Sequence, residues 1–137
     1  MTAYDWDPQQ RRFLDAHKWG VLATGRRDGS PQQSMIGYAV DDDGRLVMSI
    51  KSYTAKWHNA LRQPTVSVTV PDGREHLVVY GEAEPILADP LREELTAVVF
   101  GVLLGVSPDD LVPFTPSLDE QQRTVLRVTP SHTLFHP

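Results

Sequence analysis

The chain has 137 residues, 40% of them hydrophobic and 23% charged, with a formal net charge of -5. Such a length supports one domain with its own core, and the mixture is that of a globular chain. The acidic balance argues against a general nucleic-acid binder, which needs a basic face to neutralise phosphates, and the absence of cysteine excludes disulfides, thiolate catalysis and cysteine-ligated metals.

The first residues, MTAYDWDPQQRR, lack the apolar run of a signal peptide. The most apolar segment, LTAVVFGVLLGV (95–106), is too short to span a bilayer, so a soluble, cytoplasmic protein with no membrane partner is expected. Asp7-Pro8 predicts a helix start, because the aspartate can accept from free N–H groups and proline fits the first turn. This helix should run to about His17, with Phe13 and Leu14 facing inward.

Strands follow. WGVLATG (19–25) is apolar and glycine-bounded, RRDGS is a tight turn, and QQSMIGYAV (32–40) is the return strand. DDDG (41–44) forms a second turn, and RLVMSI (45–50) a third strand. TVSVTV (65–70) alternates strictly between polar and apolar residues, the pattern of a half-buried strand. After the turn PDGR (71–74), HLVVYGEAEPI (76–86) reads as a long strand bending at Gly81. Asp89-Pro90 repeats the helix-start signal ahead of Leu91, Leu95, Val98, Val99, Val102, Leu103 and Val106. Beyond Ala97 this helix is apolar nearly all round, so core or another subunit must cover it on several sides. Residues 107–120 read as an irregular, proline-rich connection, and 122–137 supply the last strand. Six strands joined mostly by tight turns predict one mainly β domain over residues 1–137, a small antiparallel barrel with short helices.

Familiar catalytic motifs are missing. GRRDGS lacks the G-K-[ST] ending of a phosphate loop, and no G-x-S-x-G elbow supplies a serine nucleophile. His132 and His136 have i, i+4 spacing, but on a strand they would lie roughly 13 Å apart, too far to share one ion, so no metal site is assigned.

The segment IKSYTAKWHNALRQP (50–64) gathers Lys51, Lys56, His58 and Arg62 where a strand runs into a helix. Trp57, Ala60 and Leu61 should pack on the barrel, leaving Lys56, Asn59 and Gln63 on a polar face. Ser52 and Thr54 stand where they could cap the helix. Spacing alone leaves two readings open: a solvated surface helix, or an anion site built on a helix N-terminus.

The order GVLATGRRDGSPQQSMIGYAV, AKWHNALRQPTVSVTV, VVYGEAEPI and VLRVTPSHTLF resembles the split-barrel, flavin-binding superfamily of pyridoxamine 5′-phosphate oxidase. Within it the chain most resembles the actinobacterial branch that uses the deazaflavin coenzyme F-420. The resemblance spans about residues 10 to 136 and implies a six-stranded antiparallel split barrel of the FMN-binding type. It also implies a homodimer with the cofactor in the subunit interface. The cofactor phosphate would be held around Ser49, Ile50, Lys51, Thr54, Ala55 and Lys56, with Lys56 and Asn59 on the A-K-x-x-N motif. The ring would lie along Gln33, Ser34, Met35 and Ile36, and the partner subunit would contribute residues around Arg74 to His76. Many family members carry a basic residue where this chain has Thr54.

The implied activity is hydride transfer between bound F-420 and a small organic substrate. The alternatives are an FMN-dependent oxidase or reductase, or a non-catalytic F-420 or flavin carrier. If a proton is delivered to the substrate, His76 and Tyr38 are the candidate donors, but the sequence gives no geometry for either, so no catalytic side chain is assigned.

Overall fold

The computed structural model describes residues 3–111 and 115–137. Helix α1 spans Pro8–Asp15, and the Asp7 carboxylate accepts from the amides of Gln9 and Gln10, as a helix start at Asp7-Pro8 requires. Leu14 is buried and Phe13 packs against the core beside it.

Seven strands form one antiparallel sheet: β1 (Trp19–Gly25), β2 (Pro31–Gly37), β3 (Ala39–Val40), β4 (Leu46–Lys51), β5 (Thr65–Asp72), β6 (Glu75–Ile86) and β7 (Arg123–His136). Their spatial order is β2-β1-β5-β6-β7-β4-β3. The two edge strands, β2 and β3, are separated along the chain by Tyr38 alone. Opposite edges of the sheet must therefore meet at that residue, which rolls the sheet into a half-barrel.

The single strand expected over 32–40 is thus two strands, making seven rather than six. Tyr38 breaks the run because its ring turns into the core, 1% exposed, where its hydroxyl donates to the Leu14 carbonyl at 2.5 Å. Its own amide pairs with the Lys18 carbonyl instead of a strand neighbour.

The inner face is filled by Leu22, Met48, Ile50, Val68, Val79, Leu126 and their neighbours. A second apolar cluster lies outside the roll, where α3 (Leu91–Leu104) packs Leu95 and Val99 over Val47 and Val125. β4 is consequently covered on both faces, with Leu46, Met48 and Ile50 inward and Val47 outward.

β6 shifts register against β7 between Tyr80 and Gly81, the position marked for a bend. A Cβ on Gly81 would lie 2.8 Å from Val128 Cγ1 and press on the Thr129 carbonyl oxygen, so the two backbones approach where no side chain fits. The connection expected to be irregular contains a 3-10 turn (Pro108–Leu111) and α4 (Thr115–Glu120), apart from the portion outside the described residues. Arg92, 7% exposed, holds α4 in place by donating to both Asp89 and Asp119 at 2.8 Å. No described helix is long and apolar enough to cross a membrane.

Candidate functional site

The end of β4 and the start of β7 lie side by side, with Lys51 directly opposite Arg123. Like charges in facing positions of an antiparallel pair repel, typically by a few tenths of a kcal/mol to about 1 kcal/mol. None of the ion pairs among the described residues involves Lys51, Arg123 or Lys56. In an acidic chain, three basic side chains without a carboxylate at one place are a standing attraction for an anion.

Helix α2 (Ala55–Arg62) begins beside them. Thr54 is its first flanking residue but makes no side-chain cap; its hydroxyl instead donates backward to the Lys51 carbonyl at 2.8 Å. The expected cap is therefore absent, and the reason is local. Lys51 ends a strand, and its carbonyl takes both the Thr54 amide and the Thr54 hydroxyl. The first amides of α2 keep no side-chain acceptor, which leaves their partial positive charge facing outward.

These groups form one end of a cleft of about 290 Å³. Ser49, Ile50, Lys51 and Thr54 line it from β4 and the turn that follows, and Lys56 from α2. Met35, Ile36 and Gly37 enter from β2, with Trp19 beside them. Val99, Phe100 and Leu103 on α3 make the apolar wall, and Arg123 completes the basic end. The Arg123 guanidinium stacks 5.2 Å from the Phe100 ring centroid, donates to Gln121 at 2.8 Å and reaches Ser49 Oγ at 3.3 Å. Lys51 Nζ stands 5.9 Å from the Tyr53 ring. Cations at one end and an aromatic and aliphatic wall at the other suit a flat ring system carrying a phosphate or carboxylate.

Of the residues marked from sequence, Met35, Ile36, Ser49, Ile50, Lys51, Thr54 and Lys56 meet in this cleft. The others lie elsewhere. Gln33 and Ser34 sit further along β2, where Gln32 donates to Ser34 Oγ at 2.8 Å. Ala55 faces the opposite side of α2. Asn59 is 7% exposed rather than on a solvated face, and its amide donates to Thr24 Oγ1 at 3.2 Å. Leu61, expected to pack on the barrel, is 46% exposed, whereas Trp57 and Ala60 are buried.

His76 pairs with His136 at the far end of β7 from Arg123, so within one subunit it stands away from the cleft. Its ring stacks on His136, as His132 stacks on Tyr80. Tyr38 lies outside the cleft, its burial pushing the phenol up from its ordinary pKa and its hydroxyl committed to Leu14.

Sequence reasoning did not mark Trp19, Gly37, Val99, Phe100, Leu103 or Arg123 as site residues. The signal for Arg123 was its register opposite Lys51, which no reading of a single strand supplies. The signal for Phe100 and Leu103 was present in the all-round apolar helix, there ascribed to core or subunit contact.

A rolled antiparallel sheet with short helices packed on it, here carrying a cleft that is basic at one end, is the architecture of the split-barrel class. The chain belongs to the pyridoxamine 5′-phosphate oxidase family, whose model matches residues 6–136. It is similar to a conserved hypothetical protein of Mycobacterium tuberculosis, with 24% identity over 96% of this chain and 84% of that one and a TM-score of 0.79. An F-420 reductase matches at 25% identity and a TM-score of 0.64, over 85% of this chain and 89% of its own. The heme storage protein of Vibrio cholerae matches at 20% identity and a TM-score of 0.69, over 98% and 95% of the two chains.

Proposed function

We propose that the protein is an oxidoreductase that binds coenzyme F-420 in this cleft and serves hydride transfer to or from a small organic substrate. The observation carrying this reading is the unpaired cation cluster of Lys51, Lys56 and Arg123 at the end of a cleft walled by Trp19, Met35, Phe100 and Leu103. The donor set fits the coenzyme: lysine and arginine for its phosphate, the open first turn of α2 for the same anion, and apolar side chains for a ring.

When bound, the deazaflavin itself supplies the two-electron chemistry. The chain's own residues bind and orient. Lys51, Lys56 and Arg123 fix the charged end, while Phe100, Leu103 and Met35 exclude water from one ring face. Ser49 and Thr54 offer hydroxyl oxygens at the polar floor. No side chain is assigned a proton-transfer role.

One subunit offers about 290 Å³, at the bottom of the roughly 300–1,000 Å³ of small-molecule sites. The rest of the enclosure is assigned to a second copy of the chain in a homodimer. Exposed Val102, Leu104 and Val106 on and after α3 support this, since such side chains beside a cleft are suited to cover by a partner. Residues Arg74 to His76 are the partner's contribution in this arrangement.

Titration of the purified protein with F-420, FMN and heme, followed by fluorescence and absorbance, tests the proposal. Saturable binding of F-420 is expected. Lys56→Ala should weaken it by about 1.5–3 kcal/mol, the range for a charge-assisted contact. Binding of FMN alone would make the protein a flavin enzyme of the same fold, and a heme absorption band without F-420 binding would make it a storage protein. The related heme storage protein motivates that arm, but among the described residues no histidine lines the cleft. Turnover of reduced F-420 against quinones and unsaturated ketones then separates enzyme from carrier.

A further inference from the structure

A second cavity, of about 250 Å³, shares a wall with the cleft: Phe100 and Arg123 line both. Leu104 joins Phe100 from α3, Leu111 comes from the 3-10 turn, and Ser117, Leu118 and Gln121 come from α4 and the turn after it. Among the described residues no carboxylate lines it.

Its walls are held by bonds that the cleft does not use. Arg92 ties α3 to Asp119 of α4 at 2.8 Å and to the Arg123 carbonyl at 3.1 Å. The Glu93 carboxylate accepts from the amide and the hydroxyl of Thr115, which fixes the start of α4 on α3. Leu118 is buried at 2% exposure, while Leu104, at 63%, stands at the mouth.

The polar groups form one chain. Arg123 Nε donates to Gln121 Oε1 at 2.8 Å, and Gln121 Nε2 donates to Ser117 Oγ at 3.0 Å. Arg123 Nη1 reaches Ser49 in the cleft at 3.3 Å. The guanidinium therefore stands between two cavities, stacked on Phe100 and without an ion pair among the described residues. A weakly hydrated cation beside three leucines and an aromatic ring attracts a carboxylate more strongly than a solvated surface charge does. The space is sufficient, since a cavity of roughly 150 Å³ with aliphatic and aromatic walls already takes benzene.

We propose that this pocket binds a compact monocarboxylate with an apolar body, whose carboxylate pairs with Arg123, and that its occupancy weakens anion binding in the cleft. The leucines and Phe100 take the body, and Gln121 and Ser117 line the polar side. The occupant is neither the coenzyme nor its reaction partner, because it seats at the basic end of the cleft. Arg123 cannot serve two anions fully, so each ligand lowers the affinity for the other by the same factor. The pocket stands apart from the cofactor reading; only the coupling rests on the cleft being an anion site.

The test uses the full chain with benzoate, its uncharged analogue benzyl alcohol, and FMN. Nuclear magnetic resonance should show saturable benzoate binding on the order of a millimolar, with shifts at Arg123 Nε and the Leu111 and Leu118 methyls. Benzyl alcohol should bind at least about fivefold more weakly, and equal binding of the two overturns the carboxylate assignment. Saturating benzoate should raise the dissociation constant for FMN about fivefold or more. Ser117→Phe fills the pocket from an exposed position of α4, and Ser117→Leu does so more mildly should the larger ring prevent folding. Either variant should lose benzoate binding and the coupling while keeping wild-type affinity for FMN. If benzoate still competes with FMN in the filled variant, it occupies the cleft itself and the proposal is overturned. Absence of benzoate binding to wild type overturns it as well. If the cleft takes no anion, the cofactor reading and the coupling fail together, while direct benzoate binding still decides the pocket.

Discussion

Arg123→Met is the substitution that best separates a binding role from a structural one at the basic end of the cleft. Methionine keeps an unbranched apolar stem over Phe100 while removing the charge that faces Lys51. In the free protein two effects oppose each other. Relief of the repulsion with Lys51 contributes up to about 1 kcal/mol. Loss of the donation to Gln121 at 2.8 Å and the long contact to Ser49 at 3.3 Å costs a similar amount. Ligand-free stability should therefore stay within about 1 kcal/mol of wild type, a change in Tm of no more than about 4 °C.

In the complex nothing offsets the loss. A charge-assisted contact worth about 1.5–3 kcal/mol disappears, so the dissociation constant for F-420 or FMN should rise about 10- to 150-fold. Thermal unfolding with and without ligand reads both quantities on one sample. A variant that binds like wild type but unfolds many degrees lower would refute the reasoning, because Arg123 would then be part of the scaffold and the unpaired charges would not be a site.

Three further outcomes follow from the fold. Gly81→Ala places a Cβ against backbone and against Val128 at the register shift, so chemical denaturation should show a loss of about 1–3 kcal/mol or more. Asn59→Ala removes a buried amide that donates to Thr24 and supports Arg62; it should cost about 1–3 kcal/mol of stability while leaving affinity for FMN unchanged, and a large loss of FMN affinity would place Asn59 in the cleft after all. His17 gives a pH dependence. Its ring is held by the Phe13 carbonyl at 2.7 Å and by Asp72 at 3.0 Å, and these bonds raise its pKa above the ordinary value. A raised folded-state pKa means stability that is complete below the unfolded value of about 6.5 and is lost as pH rises through the folded value. Wild type should therefore lose more stability than His17→Gln between about pH 5.5 and about pH 8.5, and parallel pH curves for the two proteins would rule this linkage out.

The strands were legible because each carries its own period. The alternation of residues 65–70 appears as β5 with Val66, Val68 and Val70 buried, and the glycine expected to bend β6 sits at its register shift. The break at Tyr38 was not legible from period, since its burial depends on the Leu14 carbonyl, which α1 brings from 24 positions away in the chain. The site divides in the same way. Ser49, Ile50, Lys51, Thr54 and Lys56 fall together because they are near neighbours in the chain, so a local basic cluster finds them. Arg123 and Phe100 reach the cleft only through the β4–β7 pairing and the packing of α3 on the sheet, neither of which leaves a local pattern.

Thr54 shows how side-chain direction decides function beyond residue type. A hydroxyl at the start of a helix normally accepts from the first amides and neutralises their pull on anions. Here it donates to Lys51, which is both the last residue of β4 and a cation of the cleft. That single bond leaves the first amides of α2 without a side-chain acceptor and ties the helix start to the strand end from which Lys51 projects. It also bears on the basic residue that the family resemblance leads one to expect at this position. A positive side chain there would add charge beside Lys51 and Lys56, whereas threonine contributes order and no charge. Arg123, approaching from β7, supplies a third positive charge in its place. Replacing Thr54 with arginine should therefore strengthen phosphate binding in an Arg123→Met background more than in wild type, because only there is a charge missing. Titration of the two proteins and their Thr54→Arg derivatives with FMN measures this, and equal gains in both backgrounds would show that the two positions do not share one anion.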